Sequence, residues 1–310
     1  MTVMRAMTYD QYGGLDVLSL TEQPDPKVGP GEVLIEARAA SVNPVDWKLM
    51  SGGLDAMMDV RFPAVPGWDV AGVVVATGPD TPEWTVGDEV MAYARKDYVH
   101  GGTFAEKVSA PVRMVGRKPA SLNWEQAASV PLAGLTALQV LDGLEVDATT
   151  ILLIHGGGGG VGSFGIQIAR ALGVRVIASA SAGQHDRLRA LGAEPVEYGD
   201  GLVDAVRALA PEGVDAVADF VGGVVEQTQA VLADGGHHAS VADPDAIEAG
   251  GTWRWVRPDA NDLERLAVLV DDGDLTVEVE ETFELEDLAA AFARSQEGHV
   301  HGKLAIRISE

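Results

Sequence analysis

Residues 151–162 have the sequence ILLIHGGGGGVG, and this stretch indicates the fold more strongly than any other part of the chain. The apolar run 151–154 is typical of a buried strand in a parallel sheet. Apolar residues then recur at helical spacing over 161–172, Gly173 ends the helix, and a second apolar run follows at 174–178. The pattern predicts a strand–helix–strand unit with glycines at its first turn.

The glycines of this turn have the spacing of a phosphate-binding loop. Gly157, Gly159 and Gly162 form a G-x-G-x-x-G pattern between a predicted strand and a predicted helix. The N-terminus of a helix has unpaired N–H groups and a positive dipole end, which a pyrophosphate can approach closely only where side chains are absent. We therefore predict a dinucleotide cofactor that contacts Gly157, Gly159, Gly160 and Val161.

The end of the second strand favours NADPH as that cofactor. NAD-binding sheets usually carry an acidic residue about twenty positions after the glycines, where it binds the ribose 2′-hydroxyl. This chain instead has Ser179 and Ser181, with Arg187 beyond them, and a 2′-phosphate needs donors and positive charge at that point. Asp186 is the opposing observation, since its carboxylate would either cap the next helix or repel a phosphate.

Composition narrows the classes of function. With 22 Lys and Arg against 47 Asp and Glu, the 310 residues carry a formal charge of −25, which disfavours a nucleic-acid partner. The absence of cysteine excludes disulfides, thiolate nucleophiles and cysteine-bound zinc. No apolar run has the length of a membrane span and no signal peptide is visible, so we expect a cytoplasmic protein. The acidity suits either a salt-rich cytoplasm, which would screen it, or an ordinary acidic protein.

The order of the predicted elements divides the chain into three segments. Short β-prone runs with glycine turns fill the first 122 residues. From residue 123 strands and helices alternate, which predicts a doubly wound parallel sheet. The third segment, from residue 258, is expected to return to the first domain, with helices over 262–270 and 285–295 and strands over 275–279 and 303–308.

Several short segments together carry a family resemblance. They are 43–48 (NPVDWK), 62–72 (FPAVPGWDVAG), 86–90 (VGDEV), 102–106 (GTFAE), 131–137 (PLAGLTA) and 298–304 (GHVHGKL). In this order and spacing they resemble the medium-chain dehydrogenase/reductase superfamily, in its zinc-free quinone-oxidoreductase branch, over essentially the whole chain. The resemblance implies a GroES-like β-rich catalytic domain, formed by 1–122 and the return segment 258–310, a Rossmann NADP-binding domain at 123–257, and commonly a homodimer.

The same resemblance implies chemistry without a metal. Zinc-dependent members have a cysteine where this chain has Asn43, a histidine where it has Trp68 and a third ligand near Ala133, and none of these residues is a usual zinc ligand. We therefore expect hydride transfer from NADPH to a quinone, which needs no Lewis acid because charge spreads onto a carbonyl oxygen. An NADPH-dependent enone or enal reductase is the alternative, and a non-catalytic dinucleotide-binding structural protein is a third hypothesis.

Asn43 and Tyr93 are the candidates for catalysis. The Asn43 amide is suited to donating to the nicotinamide or to a substrate oxygen, and the alternative is a turn residue before Pro44. The Tyr93 hydroxyl is suited to donating a proton, and the alternative is a core aromatic. Lys303 is expected either to contact the cofactor or to pair with an acidic neighbour. The substrate-pocket candidates are Asp46, Trp47 and Trp68, with helix capping or core packing as the alternative for each.

Further cofactor contacts are predicted from the carboxyl ends of the strands, where ligands bind in such sheets. Phe220 and Val221 end one predicted strand and Ser240 ends the next. By the resemblance, Thr136 faces the nicotinamide and Tyr198 lies near the 2′-phosphate, whereas a helical threonine often bonds only its own backbone. No metal ligand is predicted.

Overall fold

The computed structural model describes residues 2–309, which fall into two units. Unit 1 contains the chain up to Leu132, Pro258–Asp271 and the chain from Val277 onward. Unit 2 contains Ala133–Arg257 and Asp272–Thr276. The second domain was predicted to begin at residue 123, but 123–132 lie in unit 1, because the helix in this stretch packs against strands of that unit.

Unit 1 begins with short strands and short helices. They are β1 (Val3–Thr8), β2 (Ser19–Pro24), β3 (Glu32–Val42), α1 (Pro44–Met50), β4 (Val60–Val65), β5 (Asp69–Thr77), β6 (Glu89–Tyr93), β7 (Val99–Gly101), β8 (Lys107–Pro111), β9 (Val115–Arg117) and α2 (Trp124–Ala128). Helix α3 (Pro131–Gly143) follows. Single 3-10 turns lie at Leu15–Val17, Val112–Met114, Ala182–Gln184, Pro244–Ala246 and Leu285–Asp287.

Strands and helices alternate in unit 2, and the chain then returns to unit 1. Unit 2 contains β10 (Ile151–His155), α4 (Gly160–Ala171), β11 (Arg175–Ala180), α5 (His185–Leu191), β12 (Glu194–Glu197), α6 (Leu202–Leu209), β13 (Val214–Asp219), α7 (Val225–Val231), β14 (Leu232–Ser240) and β15 (Thr252–Trp253). The return contains α8 (Ala260–Asp271), β16 (Val279–Glu284), α9 (Leu288–Glu297) and β17 (Lys303–Arg307).

The sheet of unit 2 is parallel, in the order β12-β11-β10-β13-β14-β15. Leu153 at its centre pairs with Ile177 on one side and Val217 on the other, and all three side chains are fully buried. The strand order reverses at β10, which is where such sheets bind ligands. The predicted doubly wound sheet is confirmed.

The main sheet of unit 1 has the order β16-β17-β3-β5-β6-β9, and β8 pairs with part of β3. From β17 to β6 all neighbours are antiparallel. Because neighbouring strands alternate in direction, the start of each lies beside the end of the next. This edge of the sheet positions the first half of the candidate site.

The predicted strand at 275–279 is wrong, since the strand begins only at Val279. Leu275 and Val277 are buried, but the N–H and hydroxyl of Thr276 bond to the Gln167 side chain instead of a neighbouring strand. The alternating apolar pattern of 275–279 thus arises in a segment whose central residue bonds to a side chain and not to a neighbouring strand. Within residues 2–309, no helix combines the length and apolarity needed to cross a membrane.

Candidate active site

A buried polar cluster lies at one edge of the unit 1 sheet. Lys303 begins β17, Asn43 follows β3, Asp69 begins β5 and Tyr93 ends β6. Asp69 and Tyr93 are direct register partners, and the residues after Lys303 pair with the residues before Asn43. The sheet therefore brings together side chains that are far apart in sequence. We call Asn43, Asp46, Asp69 and Lys303 the polar cluster.

The Asn43 amide joins a buried ammonium to a buried carboxylate. Lys303 Nζ donates to Asn43 Oδ1 at 2.5 Å and to the carbonyl oxygen of Val42 at 3.1 Å. Asn43 Nδ2 donates to Asp69 Oδ2 at 2.9 Å. The second oxygen of Asp69 accepts the N–H of Leu132, in the first turn of α3, also at 2.9 Å. Both ends of the Asn43 side chain are thus fixed by charged partners.

Asp46 holds the backbone of Asn43 from the first turn of α1. Its Oδ2 accepts the Asn43 N–H at 2.8 Å, which is the helix-capping alternative weighed for this residue. Its Oδ1 is buried and has no hydrogen-bond partner within residues 2–309. The side chain is only 1% exposed, so this carboxyl group belongs to the interior of unit 1.

Burial shifts the ionisation of every titratable group in the polar cluster. Burial raises the pKa of Asp69 to about 6, although Lys303 and the hydrogen bonds from Asn43 and Leu132 oppose the shift. Burial raises the pKa of Asp46 further, to about 8. Burial also lowers the pKa of the Lys303 ammonium, against the opposing effect of both carboxyl groups. Because the pKa of Asp69 lies below 7 and that of Asp46 lies above 7, Asp69 is the ionised carboxyl group at neutral pH.

The aromatic candidates pack in the interior. Trp68 is buried, and its ring meets that of Tyr93 edge to face at 6.0 Å between centroids. The Tyr93 hydroxyl is buried with no hydrogen-bond partner in the described part of the chain, and burial strongly raises its pKa, so it stays protonated. Trp47 is partly exposed, and its Nε1 donates to Ser295 Oγ at 3.2 Å. Core packing, the alternative considered for Trp68 and Tyr93, is therefore present for both.

The donor set at this edge does not fit zinc. Asn43 has an amide that is already bonded, and Trp68 has an indole without a free lone pair. In unit 2, the side chain of Ala133 is a methyl group. Across residues 2–309, no group of three His, Cys, Asp or Glu side chains is arranged to hold a metal ion.

In unit 2 the glycine turn joins β10 to α4, and each glycine of the motif has its own steric reason. A Cβ on Gly157 would lie 2.8 Å from the Ala178 Cβ, and one on Gly162 would lie 2.1 Å from the carbonyl oxygen of Gly156. A Cβ on Gly159 would meet nothing closer than that same oxygen, at 3.5 Å. Gly157 and Gly162 allow close packing, whereas Gly159 leaves open space at the N-terminus of α4. This open cradle fits a dinucleotide pyrophosphate.

Ser179 fixes the glycine turn from the neighbouring strand. Its carbonyl oxygen accepts the N–H of Gly157 at 2.9 Å, and its Oγ accepts the N–H of Gly156 at 3.3 Å. The guanidinium of Arg187 lies at the same turn, where it donates to the carbonyl oxygen of Gly158 at 3.0 Å. The predicted residues Ser179 and Arg187 thus meet at the turn that carries the motif.

Other residues at this side of the unit 2 sheet are more open. Ser181 is partly exposed just after β11, and Tyr198 is 61% exposed just after β12, the adjacent strand. Asp186, the residue that opposed an NADPH site, is exposed and forms an ion pair with Arg189 at 2.7 Å. Its carboxylate is therefore engaged by a different arginine from the one at the glycine turn.

A carboxylate that the sequence did not single out organises the ends of β13 and β14. Asp219 Oδ1 accepts the N–H groups of Val221 and Gly222, both at 2.9 Å. Its Oδ2 accepts the hydroxyl of Ser240 at 2.7 Å. The predicted residues Val221 and Ser240 are thus held by one side chain, and Phe220 lies between Asp219 and Val221. Thr136 is buried within α3.

Asp69 and Asp219 are the functional candidates that sequence reasoning missed. Asp69 begins an apolar strand and Asp219 ends one, and a carboxylate buried in such a place is costly unless it is paired. An acidic residue at the end of an apolar run was therefore the feature of the sequence that could have identified both. Their partners could not be named, because the partners lie on other strands.

Comparisons with known proteins agree with this architecture. The family described as alcohol dehydrogenase GroES-like domain matches residues 29–120, and the family described as zinc-binding dehydrogenase matches residues 191–306.

Individual relatives extend the match to nearly the whole chain. The NADPH-dependent alkenal/one oxidoreductase of Arabidopsis thaliana is 32% identical, over 98% of this chain and 79% of that protein. The solved quinone oxidoreductase of Coxiella burnetii is 33% identical with a TM-score of 0.89, covering 99% of this chain and 100% of that one. A mycobacterial protein solved in complex with NADPH is 29% identical with a TM-score of 0.84, covering 98% and 100%. The chain therefore belongs to the medium-chain dehydrogenase/reductase superfamily, in its quinone-oxidoreductase-like branch.

Proposed function

We propose that this protein transfers hydride from NADPH to a quinone. The observation that carries the proposal is the open space at Gly159, where a pyrophosphate has room to reach the unpaired N–H groups of α4. Similarity to the Coxiella burnetii quinone oxidoreductase supports the choice of acceptor. When bound, NADPH supplies the hydride from its nicotinamide ring.

The preference for NADPH over NADH rests on the region that follows β11. Ser179 and Ser181 occupy the place where an NAD-binding sheet usually has a carboxylate, and Arg187 adds positive charge beside the glycine turn. Tyr198 lies open to solvent after the next strand, where the ring can cover a 2′-phosphate. The mycobacterial relative solved with NADPH supports this assignment.

The polar cluster supplies the donors for the acceptor. Reduction of a quinone places negative charge on a carbonyl oxygen, which preorganised N–H and O–H groups stabilise. Two N–H groups of Lys303 bond to Asn43 and Val42, and we assign the third to the acceptor oxygen. Asn43 orients Lys303 instead of donating directly, because its own amide is already bonded. The protonated Tyr93 hydroxyl is the proposed second donor.

The remaining proposals concern the setting of the reaction. We propose a zinc-independent enzyme, since Asn43, Trp68 and Ala133 replace the usual ligands. We also propose a GroES-like catalytic domain completed by 258–310, a Rossmann domain that begins after residue 132 and extends to 257, a homodimer and a cytoplasmic location. Metal analysis of the purified protein tests the zinc independence, and its sedimentation behaviour tests the homodimer.

Reduction of an enone or enal is the alternative, favoured by the similarity to the Arabidopsis thaliana alkenal/one oxidoreductase. Such a substrate accepts hydride at its β-carbon and also places charge on a carbonyl oxygen, so the same donors serve it.

NADPH oxidation with a simple quinone and with a cyclic enone, side by side and with NADH as the control, tests the proposal. We expect faster turnover with the quinone and with NADPH. Faster turnover with the enone would make the protein an alkene reductase. Binding of NADPH without turnover of either acceptor would favour a non-catalytic, structural role.

A further inference from the structure

The polar cluster contains two carboxyl groups and one ammonium, so it is neutral only if one carboxyl group is protonated. Asp46 is 1% exposed, Asp69 is fully buried and Lys303 is 5% exposed. An uncompensated charge is far more expensive to bury than a protonated carboxyl group. The cluster therefore holds one proton more than the ordinary ionisation of its members would give.

The hydrogen bonds identify which carboxyl group carries that proton. An ionised carboxylate only accepts hydrogen bonds, and both oxygens of Asp69 accept one from an N–H donor. Asp46 accepts only at Oδ2, while its buried Oδ1 has no partner within residues 2–309. A lone pair without a donor is the poorer place for negative charge. The proton is thus best placed on Oδ1 of Asp46.

We propose that Asp69 is an ionised positioning residue of this site and that Asp46 is its neutral partner. The Asp69 carboxylate draws the Nδ2 end of the Asn43 amide toward itself, which turns the Oδ1 end to Lys303. Its other oxygen fixes the first turn of α3 through Leu132. One carboxylate thus sets the orientation of Asn43, and through it of Lys303.

The groups around the two carboxyl groups agree with an ionised Asp69 and a protonated Asp46. Asp46 faces Asp69 on β5, Lys303 on β17, Tyr9 just after β1 and Tyr93 on β6. Burial raises the pKa of both tyrosines, so neither adds charge at neutral pH. A second cation, the partly exposed Arg95, faces Tyr93. Lys303 is the cation that acts on both carboxyl groups, and it bonds to the amide that Asp69 holds.

Carboxyl spectroscopy of the full chain tests the protonation states without any cofactor or substrate. In protein labelled with ¹³C at the aspartate carboxyl carbon, infrared difference spectra at pH 7 should contain one protonated carboxylic acid. Each site is replaced in turn by unlabelled glutamate, which keeps the charge count of the polar cluster. We expect the labelled acid signal to be lost in Asp46→Glu and to remain in Asp69→Glu. Its absence from the wild type, or its loss in Asp69→Glu alone, would overturn the assignment. The wild-type spectrum alone shows whether a protonated carboxylic acid is present, so this part of the test does not depend on the folding of any variant.

Kinetics test the positioning role, which rests on the proposed function. We expect Asp69→Asn to lower kcat about a hundredfold, as misplaced groups do, while the Kd for NADPH is unchanged. We expect wild-type kcat to fall below about pH 6, where Asp69 takes up a proton, and we expect no such fall in Asp69→Asn. The conservative variant Asp69→Glu should restore part of kcat. The control is Asp25→Asn, which removes a carboxylate that pairs with Lys107 outside the polar cluster.

Two outcomes separate the failure of this inference from the failure of the proposed function. Wild-type kcat and an unchanged pH profile in Asp69→Asn would overturn the positioning role. A wild type that oxidises NADPH with neither acceptor would remove the proposed function, while the carboxyl spectra would still decide the protonation states.

Discussion

Lys303 and Asp69 bond to opposite ends of one side-chain amide, that of Asn43, with distances of 2.5 Å and 2.9 Å. A buried cation and a buried anion are thus joined through a neutral dipole. Each charge depends on the other, because removing one partner of a buried pair leaves the second without compensation. The same arrangement fixes the geometry of the proposed acceptor site.

Replacing Lys303 with methionine should destabilise the protein. Breaking a buried charge pair costs about 3 kcal/mol, and we expect a loss of that size in the free energy of unfolding measured by denaturant titration. The exposed Lys27→Met is the control and should change stability little. The double variant Lys303→Met with Asp69→Asn should lose less than the sum of the single variants. Additive losses would show that the two charges are not coupled.

The glycines of the turn should respond differently to alanine. Gly162→Ala places a Cβ 2.1 Å from the Gly156 carbonyl oxygen, so we expect marked loss of stability or failure to fold. Gly159→Ala meets nothing closer than 3.5 Å and should fold normally, yet it fills the proposed pyrophosphate space. Its Kd for NADPH should rise at least about tenfold, a cost of about 1.4 kcal/mol.

Calorimetric titration of NADPH into the folded glycine variants makes this measurement, and Gly183→Ala is the control because a Cβ there meets nothing within 4 Å. Undiminished NADPH binding by Gly159→Ala would place the pyrophosphate elsewhere.

Replacing Arg187 with glutamine should reduce the preference for NADPH. Its guanidinium lies at the glycine turn, and a charge-assisted bond to the 2′-phosphate contributes about 1.5–3 kcal/mol. We expect the Kd for NADPH to rise about tenfold or more while that for NADH barely changes. Arg189→Gln, which removes an exposed partner of Asp186, is the matched control. Equal losses for the two cofactors would mean that Arg187 supports the turn without contacting the phosphate.

Stability should fall as the pH rises from about 6.5 to 8. Burial raises the pKa of Asp46 to about 8, far above its unfolded value of about 3.9, so in this window the folded protein binds the extra proton. The expected slope is at most about 1.4 kcal/mol per pH unit. At lower pH two effects oppose each other, because burial raises the pKa of Asp69 to about 6 and lowers that of His155 to about 4.

Denaturant titrations between pH 6.5 and 8 measure this slope. The variant Asp46→Asn cannot release the proton, so its stability should be nearly constant over the window. A slope as steep in Asp46→Asn as in the wild type would assign the pH dependence to another group.

Local patterns predicted the Rossmann half of the chain well. An apolar run, a glycine turn and helical periodicity are all set by near neighbours, so β10, α4 and β11 could be placed from sequence. The close packing that explains Gly157 and Gly162 is likewise local. Similarity in several short segments then predicted the family and the β-rich half.

The polar cluster could not be predicted in the same way. Lys303 and Asn43 are 260 positions apart, and only the register of β17 on β3 makes them neighbours. The sequence could therefore offer an acidic partner for Lys303 as an alternative without naming Asp69. Asp46 was weighed as a helix cap, and the unpartnered oxygen that suggests its protonation is visible only once the core is packed.

The central claim is that this protein passes hydride from NADPH to a quinone. Its most direct test is a single-turnover reaction of the enzyme–NADPH complex with a simple quinone, using NADPH that carries deuterium at the transferred position of the nicotinamide ring. A single turnover keeps product release from masking the chemical step. We predict that bound NADPH is oxidised and that deuterium slows the oxidation. NADPH that binds but remains reduced in the presence of the quinone would contradict the proposal.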